Sequence, residues 1–466
     1  MKILLSLLFL IPFSLLAQPW DLVRCIEQAQ NNNLTIKQAE LSVEQQKMSA
    51  QVAKKQQFPT VNGAIGQNFN FGRSIDPFTN TFENTTIRAN NASVSGSGIL
   101  YAGGRIRNNI QAEQLNLQAS ELDFKAIQNS IALQVTNAYL SVVFAKEALR
   151  IAQERSQRTN EQAERMKKLV DAGANSKDNY LNLKAQLAQE KRNVVSAENN
   201  LTLSKLTLEQ LMQLPHSEGF DIVYPAGIQP NSLPAFTIDQ VVKDALETQP
   251  EVKREMERLK AAEKLLNVAK ASALPTLSAF GSLSTVFSSA AKSFVNNGFD
   301  TVPIGYVFGS QIPVMTLSPR ITTEGKSFSN QFTDNLGSSL GFNLSIPLFT
   351  AGNVQRSITS AKINVERAKL NQLQTNNNLY QNIAQAVTNY QAAQKDYDAD
   401  LAALEAQKES FGYADKRFQE GLLNTVDYLN LKNNLIAAES NLLQSKYRLW
   451  LRLKILEFYQ GKPLQF

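Results

Sequence analysis

The sequence predicts a mainly helical chain, written twice, with membrane-type β-hairpins set between its helices. Three observations predict it. The pentapeptide "YLNLK" stands at 180–184 and again at 428–432, each copy at the same distance from other matched landmarks. The stretches from Gly104 to Gly173 and from Gly352 to Gly421 are equal in length, free of proline and apolar at a spacing of three to four. Between the helical stretches the apolar period falls to two, the signature of a strand with two unlike faces.

The chain opens "MKILLSLLFLIPFSLLAQPW". A charged start, a short apolar core and the small residue Ala17 read as a cleaved export signal over residues 1–17. A retained anchor is the alternative, but a spanning helix needs roughly 20 apolar residues. Cys25 is the single cysteine, so no internal disulfide is possible. "LVRC" lacks the small residue that a bacterial lipoprotein signal places before its cysteine, and Cys25 reads as a small, half-buried side chain on the first helix. The net charge of +6 is slight, and bases and acids interleave as in "QERSQRTNEQAERMKKL". That pattern describes solvated helix faces and excludes a nucleic-acid groove.

The halves align on themselves. "WDLVRCIEQAQNNNLTIK" (20–37) matches "FTIDQVVKDALETQPEVK" (236–253), and "FPT" (58–60) matches "LPT" (274–276) at the same offset. "LYAGGRIRNNI" (100–110) matches "LFTAGNVQRSI" (348–358), and "AGANSKDNYLNLK" (172–184) matches "EGLLNTVDYLNLK" (420–432), at a second, larger offset. The second half therefore carries one long insertion between its Pro-Thr pair and its Gly landmark. So long a period argues duplication, not a solenoid. The expected organisation is a first repeat over 18–213, a linker over 214–235 marked by four prolines, and a second repeat over 236–466. His216, the only histidine, falls in the linker and reads as a solvated residue; one histidine does not make a metal site.

Each half begins with a helix, about 21–58 and 237–274, followed by a hairpin, 60–101 and 276–349. The long helices, 105–172 and 353–420, come next. In the first, Ile131, Val135, Ala138, Val142, Ala145, Leu149 and Ala152 keep the 3–4 spacing; in the second, Ile383, Tyr390, Tyr397, Leu404 and Phe411 recur by sevens. Each would run roughly 100 Å. The returning helices, about 174–212 and 422–460, are near half that length. The second repeats Leu429, Ile436, Leu443 and Trp450 by sevens beside Tyr428, Leu435, Leu442 and Leu449. Two adjacent stripes imply neighbours on two sides, as in a closed ring of helices; an ordinary bundle needs one.

Four segments alternate: 60–71, 92–101, 276–287 and 335–349. Leu277, Ala279, Leu283 and Phe287 share a face opposite Ser278, Ser282 and Ser284. Leu336, Leu340, Phe342, Leu344, Ile346 and Leu348 oppose Ser339, Gly341, Asn343 and Ser345. Strands this long, with small polar residues on one side, suit a bilayer better than a soluble sandwich. Four strands close no barrel, and an open edge cannot lie in lipid, so the chain must oligomerise. Strand counting leaves both a dimer and a trimer open.

The duplicated "AQNNNLTIKQAEL" and "ALETQPEVKREME", "FPT" and "LPT", "LYAGG" and "LFTAG", and the tip "KRFQEGLLNTVDYLNLKNNL" together make the chain resemble the TolC-type outer-membrane efflux proteins over its mature length. The resemblance implies a homotrimer: a 12-stranded β-barrel in outer-membrane lipid, four strands per chain, continued by a long α-helical barrel into the periplasm. It implies the exit duct of a tripartite efflux or type I secretion system, driven by an inner-membrane transporter through a periplasmic adaptor (membrane fusion protein). By position, residues 289–334 are the outer loop between the third and fourth strands, expected to be partly ordered.

The resemblance also places the entrance at the two turns, with adaptor-docking tips Gly173, Ala174 and Asn175, and Gly421, Leu422 and Leu423. It sets the pore constriction at Asp427 and Asn430, with first-half counterparts Asn179 and Asn182. This chain departs there. The family aspartates expected at 179 and 430 are asparagines, and the arginine expected after the second tip is Leu423; Asp178 stands one residue from 179. Three copies of Asp427 around an axis would repel one another and attract cations.

The residues suggest no enzyme: no catalytic set, no cofactor-binding loop and no metal cluster. A periplasmic coiled-coil adaptor or scaffold without a pore is the alternative. Such proteins carry one helical hairpin, and the duplicated strands speak against it. A lumen of small polar side chains leaves drugs, metals, lipids and proteins all open as cargo.

Overall fold

A computed structural model describes residues 20–75, 80–84, 86–216, 219–224, 234–420 and 422–462. The expected signal 1–17, much of the linker and Gly421 lie outside the described residues. The chain divides into two compact units.

The larger unit falls within 1–48, 114–261 and 365–466, and its described residues are mainly helical. It holds α1 (Leu22–Asn32), most of α2 (Leu34–Lys55) and most of α3 (Arg105–Asp171). It also holds α4 (Lys177–Leu211), α5 (Ile238–Thr248), most of α6 (Pro250–Ala271), most of α8 (Asn353–Gln419) and α9 (Thr425–Tyr459). The order short helix, short helix, long helix, return helix occurs twice, with α3 and α8 both 67 residues and α4 and α9 both 35.

One core gathers α1, α3, α4 and α9: Leu22, Cys25, Val135, Tyr139, Val142, Leu208 and Trp450 are buried together. A second gathers α5, α8 and α9 around Val241, Ile383, Tyr390, Leu449 and Leu456. Stripe positions Ile383, Tyr390 and Leu404 are all buried, because a seven-residue repeat returns each to the same seam. Cys25 is fully buried rather than half-buried, and burial beside Asp21 pushes its thiol up to about 12.

The expected opening helices are each broken once. Asn33 and Gln249 both adopt extended backbone and separate α1 from α2 and α5 from α6. Gln249 precedes Pro250, which disfavours helix before it while starting one itself. Asn33 uses its side chain: its Oδ1 accepts from the Thr35 amide at 2.9 Å.

The linker is docked where it is described. Trp20 bridges to Ile222 in parallel, and its amide donates to the Asp221 carbonyl at 2.9 Å. Phe220 and Ile222 are buried, and the Tyr139 hydroxyl donates to the Val223 carbonyl at 2.5 Å. Lys146 Nζ lies 2.7 Å and Lys205 Nζ 3.3 Å from the Asp221 carboxylate. Burial opposes the Asp221 charge; the two lysines outweigh it and hold the carboxyl below its ordinary range. His216 is half exposed, its Nδ1 2.7 Å from buried Glu209.

The smaller unit, residues 49–113 and 262–364, carries the strands. β1 (Thr60–Asn70), β4 (Ile87–Tyr101), β5 (Thr276–Ser288) and β8 (Gly337–Ser345) form one antiparallel sheet in the order β1-β4-β5-β8. β2 (Arg73–Ile75) pairs with β3 (Phe82–Asn84). The insertion is more regular than a partly ordered loop: β6 (Lys292–Tyr306) and β7 (Pro313–Gly325) pair as a hairpin, followed by α7 (Phe328–Asp334). Fully buried Gln331 holds α7 down. Its Nε2 donates to the Ser288 carbonyl at 3.0 Å and to the Lys326 carbonyl at 2.8 Å, while its Oε1 accepts from the Ser288 amide at 2.9 Å.

Candidate functional site

The sheet presents two unlike faces because its three strand pairings keep alternation in phase up to a bulge between Ile99 and Tyr101. Asn62 pairs with Ser95, Ser95 with Ser282 and Ser282 with Ser339, a rank of small polar side chains across every strand. The last two hydroxyls lie 2.8 Å apart. On the opposite face Val94 stands beside Leu283, Leu277 beside Leu344 and Ala279 beside Phe342. Most of this face is bare, with Ile65 88% and Leu340 79% exposed, and α7 covers one end of it, where the Thr285 hydroxyl donates to the Phe332 carbonyl at 2.9 Å. Phe280 is the exception on the polar face; it lies against Gly341, whose missing Cβ makes the room. Among the described residues β1 and β8 each have a partner on one side only.

The two helical turns share a type of closing hydrogen bond. At the first, the Ala174 amide donates to the Leu169 carbonyl at 2.8 Å and the Gly173 amide to Val170 at 3.0 Å, with Gly173 at φ +72°. That is a Schellman cap, which needs a left-handed residue at its second-to-last position. At the second, the Leu422 amide closes the equivalent bond to the Arg417 carbonyl at 2.8 Å. Ser176 then caps α4 and Asn424 caps α9 through the amides of Asp178 and Asp427.

Each predicted site residue has a definite place. Gly173, Ala174 and Leu422 are exposed, while Asn175 and Leu423 are partly buried. Asn175 Oδ1 accepts from the Asn179 side-chain amide at 2.8 Å. Asp427 is exposed and works within a cap: its Oδ2 accepts from Asn424 Nδ2 at 2.6 Å, and its amide donates to Asn424 Oδ1 at 2.9 Å. Asn182 and Asn430 are exposed, one turn further along α4 and α9. No bond joins the Asp427 and Asn179 side chains to each other.

Sequence reasoning missed an aromatic cluster behind the second turn. Tyr428 stacks on Phe418 with ring centroids 4.3 Å apart, lies 5.5 Å from Phe411 and donates its hydroxyl to Asp415 at 3.0 Å. Burial first, and the bond to Asp415 second, push the Tyr428 hydroxyl above its usual range; Arg158 and Arg165 on α3 oppose the shift. A tyrosine in an apolar stripe is the visible signal, but its acceptor lies on another helix.

Among the described residues no helix is long and apolar enough to cross a membrane, and no group of three or more His, Cys, Asp or Glu is arranged to hold a metal ion.

The family model described as "Outer membrane efflux protein" matches residues 25–212 and 241–461. The chain is 20% identical to "Cation efflux system protein CusC" of Escherichia coli O157:H7 over 426 residues, 91% of this chain and 82% of that one. Its fold is that of the Campylobacter jejuni CmeC outer membrane channel, with TM-score 0.73, 20% identity, and 94% of this chain and 86% of that chain covered. The open state of the Neisseria gonorrhoeae MtrE outer membrane channel gives TM-score 0.70 at 18% identity, over 94% of this chain and 88% of that one. With a family model spanning both halves and solved channels sharing the whole fold, the chain belongs to the outer membrane efflux protein family and is a protein of the cell outer membrane.

Proposed function

We propose that three copies close into one passive exit duct, a twelve-stranded barrel in lipid continued by a helical barrel into the periplasm. The observation that carries this reading is the β1-β4-β5-β8 sheet, apolar on one face, lined with Asn62, Ser95, Ser282 and Ser339 on the other, and open at both edges. An unpaired edge in hydrocarbon leaves backbone groups unsatisfied, so β8 of one copy must pair with β1 of the next. The apolar face then meets lipid and the polar ranks line the lumen. Leu203 on α4 and Leu370, Leu373 and Tyr380 on α8 are more than half exposed in the single chain. Neighbouring helices would cover them.

The two turns form the entrance. Gly173, Ala174, Asn175, Leu422 and Leu423, with Gly421, dock a periplasmic adaptor that couples the duct to an inner-membrane pump. Asp427, Asn430, Asn179 and Asn182 ring the constriction. The Asn179–Asn175 and Asn424–Asp427 bonds stay within one turn each, so the closed entrance is held by caps and packing.

The test is membrane fractionation followed by gels of heated and unheated protein and conductance in planar bilayers. The duct predicts an outer-membrane species of three chains that falls to one on heating and forms discrete ion-conducting steps. A soluble single chain without conductance would overturn it.

A further inference from the structure

The β6–β7 hairpin has one face for water and one for protein. Along β7 no bulge interrupts alternation, so Met315, Leu317, Pro319 and Ile321 fall on one side and Thr316, Ser318, Arg320 and Thr322 on the other. The two bulges in β6 keep it in step: Phe294 and Phe299 join the apolar side, while Asp300 joins the polar side, where Arg320 Nε donates to it at 2.9 Å. The apolar side is bare. Phe294 is 77% exposed, Leu317 67% and Phe299 62%. A two-stranded ribbon is marginal in water unless something packs on it, and this one is 13–15 residues long.

Chain order says what lies beside it. The hairpin leaves the end of β5 and returns through α7 to β8, one edge of the sheet. β2–β3 leaves the end of β1, the other edge, and returns to β4. The pairs Asn70–Ile87 and Ala89–Ser288 put both hairpins at the same end of the sheet. Within one chain β5 stands next to β4, so the two hairpins of one copy share a border, yet Phe294, Phe299 and Leu317 stay bare there and the copy's own β2–β3 leaves the face uncovered. Between copies, closure sets β8 directly beside β1. β2–β3 offers an apolar set of its own at that place, with Phe71, Ile75 and Phe82 each at least half exposed.

We propose that the apolar face of the β6–β7 hairpin docks on the β2–β3 hairpin of the neighbouring copy, a strap across each junction between chains. The inference rests on the closed-duct reading. Polar Asp300, Arg320 and Thr322 then face water, and a ribbon unstable alone becomes part of the wall.

The test places cysteines at Ile75 and Leu317 in a Cys25→Ala background and applies a mild oxidant and a short bis-maleimide to membranes, with unheated gels reporting the assembly separately. The strap predicts covalent dimers and trimers from the double variant and none from either single variant. A second variant replaces 292–325 by a short Gly-Ser turn, which fits because the Lys326 amide already donates to the Ala291 carbonyl at 2.9 Å. It should keep trimers and conductance while lowering the temperature at which trimers dissociate. Trimers without the Ile75–Leu317 link, crosslinking of Leu317→Cys with itself, or a shortened chain of unchanged heat resistance would each overturn the strap and leave the duct standing. Absence of any trimer would overturn the duct, and the strap with it.

Discussion

The Gln249 side-chain amide donates to the Phe458 carbonyl at 3.0 Å, and to Tyr459 at 3.1 Å, closing the last turn of α9 with a residue from the break between α5 and α6. Asn33 does the same for α4: its Nδ2 reaches the Leu211 carbonyl at 2.9 Å from the break between α1 and α2. Both side chains are buried. Helix ends expose carbonyls that nothing within the helix can satisfy, so each broken helix exists to cap the return helix of its own half.

Replacing Gln249 by Ala should therefore cost about 1–3 kcal/mol, the range for orphaning buried polar groups. Urea titration followed by Trp450 fluorescence, a buried reporter on α9, should show an earlier midpoint. Asn33→Ala should do the same through Leu211, and an unmoved midpoint in both would refute the capping role.

Tyr428→Phe keeps the stack on Phe418 and deletes the bond to Asp415; the expected loss is about 1 kcal/mol. Tyr428→Ala also loses the aromatic pair, for roughly 0.5–1.5 kcal/mol more. Limited proteolysis between residues 416 and 424 should speed up in that order.

The Asp427 charge can be separated from its cap. Asp427→Asn keeps a side chain able to bond Asn424 and removes one charge per copy. Reversal potentials in planar bilayers under a salt gradient should show weaker cation preference with trimer stability unchanged. If selectivity is unaltered, the constriction lies elsewhere.

Gly173→Ala meets no neighbour within 4 Å, yet φ there is +72°. The strain is backbone strain, about 1–2 kcal/mol for an L side chain in the left-handed region. Hydrogen exchange should quicken at residues 172–176 and stay slow in the buried middle of α3.

Acid should loosen the docked linker. The Asp221 carboxyl sits below its ordinary range in the folded chain, so its stabilisation is complete above the unfolded value, about 3.9, and is lost as pH falls through the lower folded value. Trp20 fluorescence followed from pH 6 downward should report release of the 219–224 segment below about pH 4. Asp221→Asn should flatten that limb.

Much of this was legible in residues. Ile383, Tyr390 and Leu404 announced their seam because a proline-free repeat of seven admits one buried line. Ser282 and Ser339 announced a polar face because strand alternation is strict. The rest needed tertiary partners. The breaks at Asn33 and Gln249 hide inside helical periodicity, and only the carbonyls of Leu211 and Phe458 explain them. By its position the insertion is expected to be a partly ordered loop; it is a ribbon that holds Pro303, Pro313 and Pro319 in paired strands, because a two-stranded ribbon is all edge and tolerates proline. Tyr428 looked like a stripe residue until the turn brought Asp415 beside it. Asp427 read as a pore charge, and its bonds to Asn424 add a local role that no spacing rule contains.

The β1-β4-β5-β8 sheet also says something about supply. A copy in transit carries two sticky borders, each able to template another chain without limit. Only a ring of fixed number uses up both borders at once. If the proposed ring is how the borders are used up, synthesis that outpaces ring completion would leave open ribbons prone to grow.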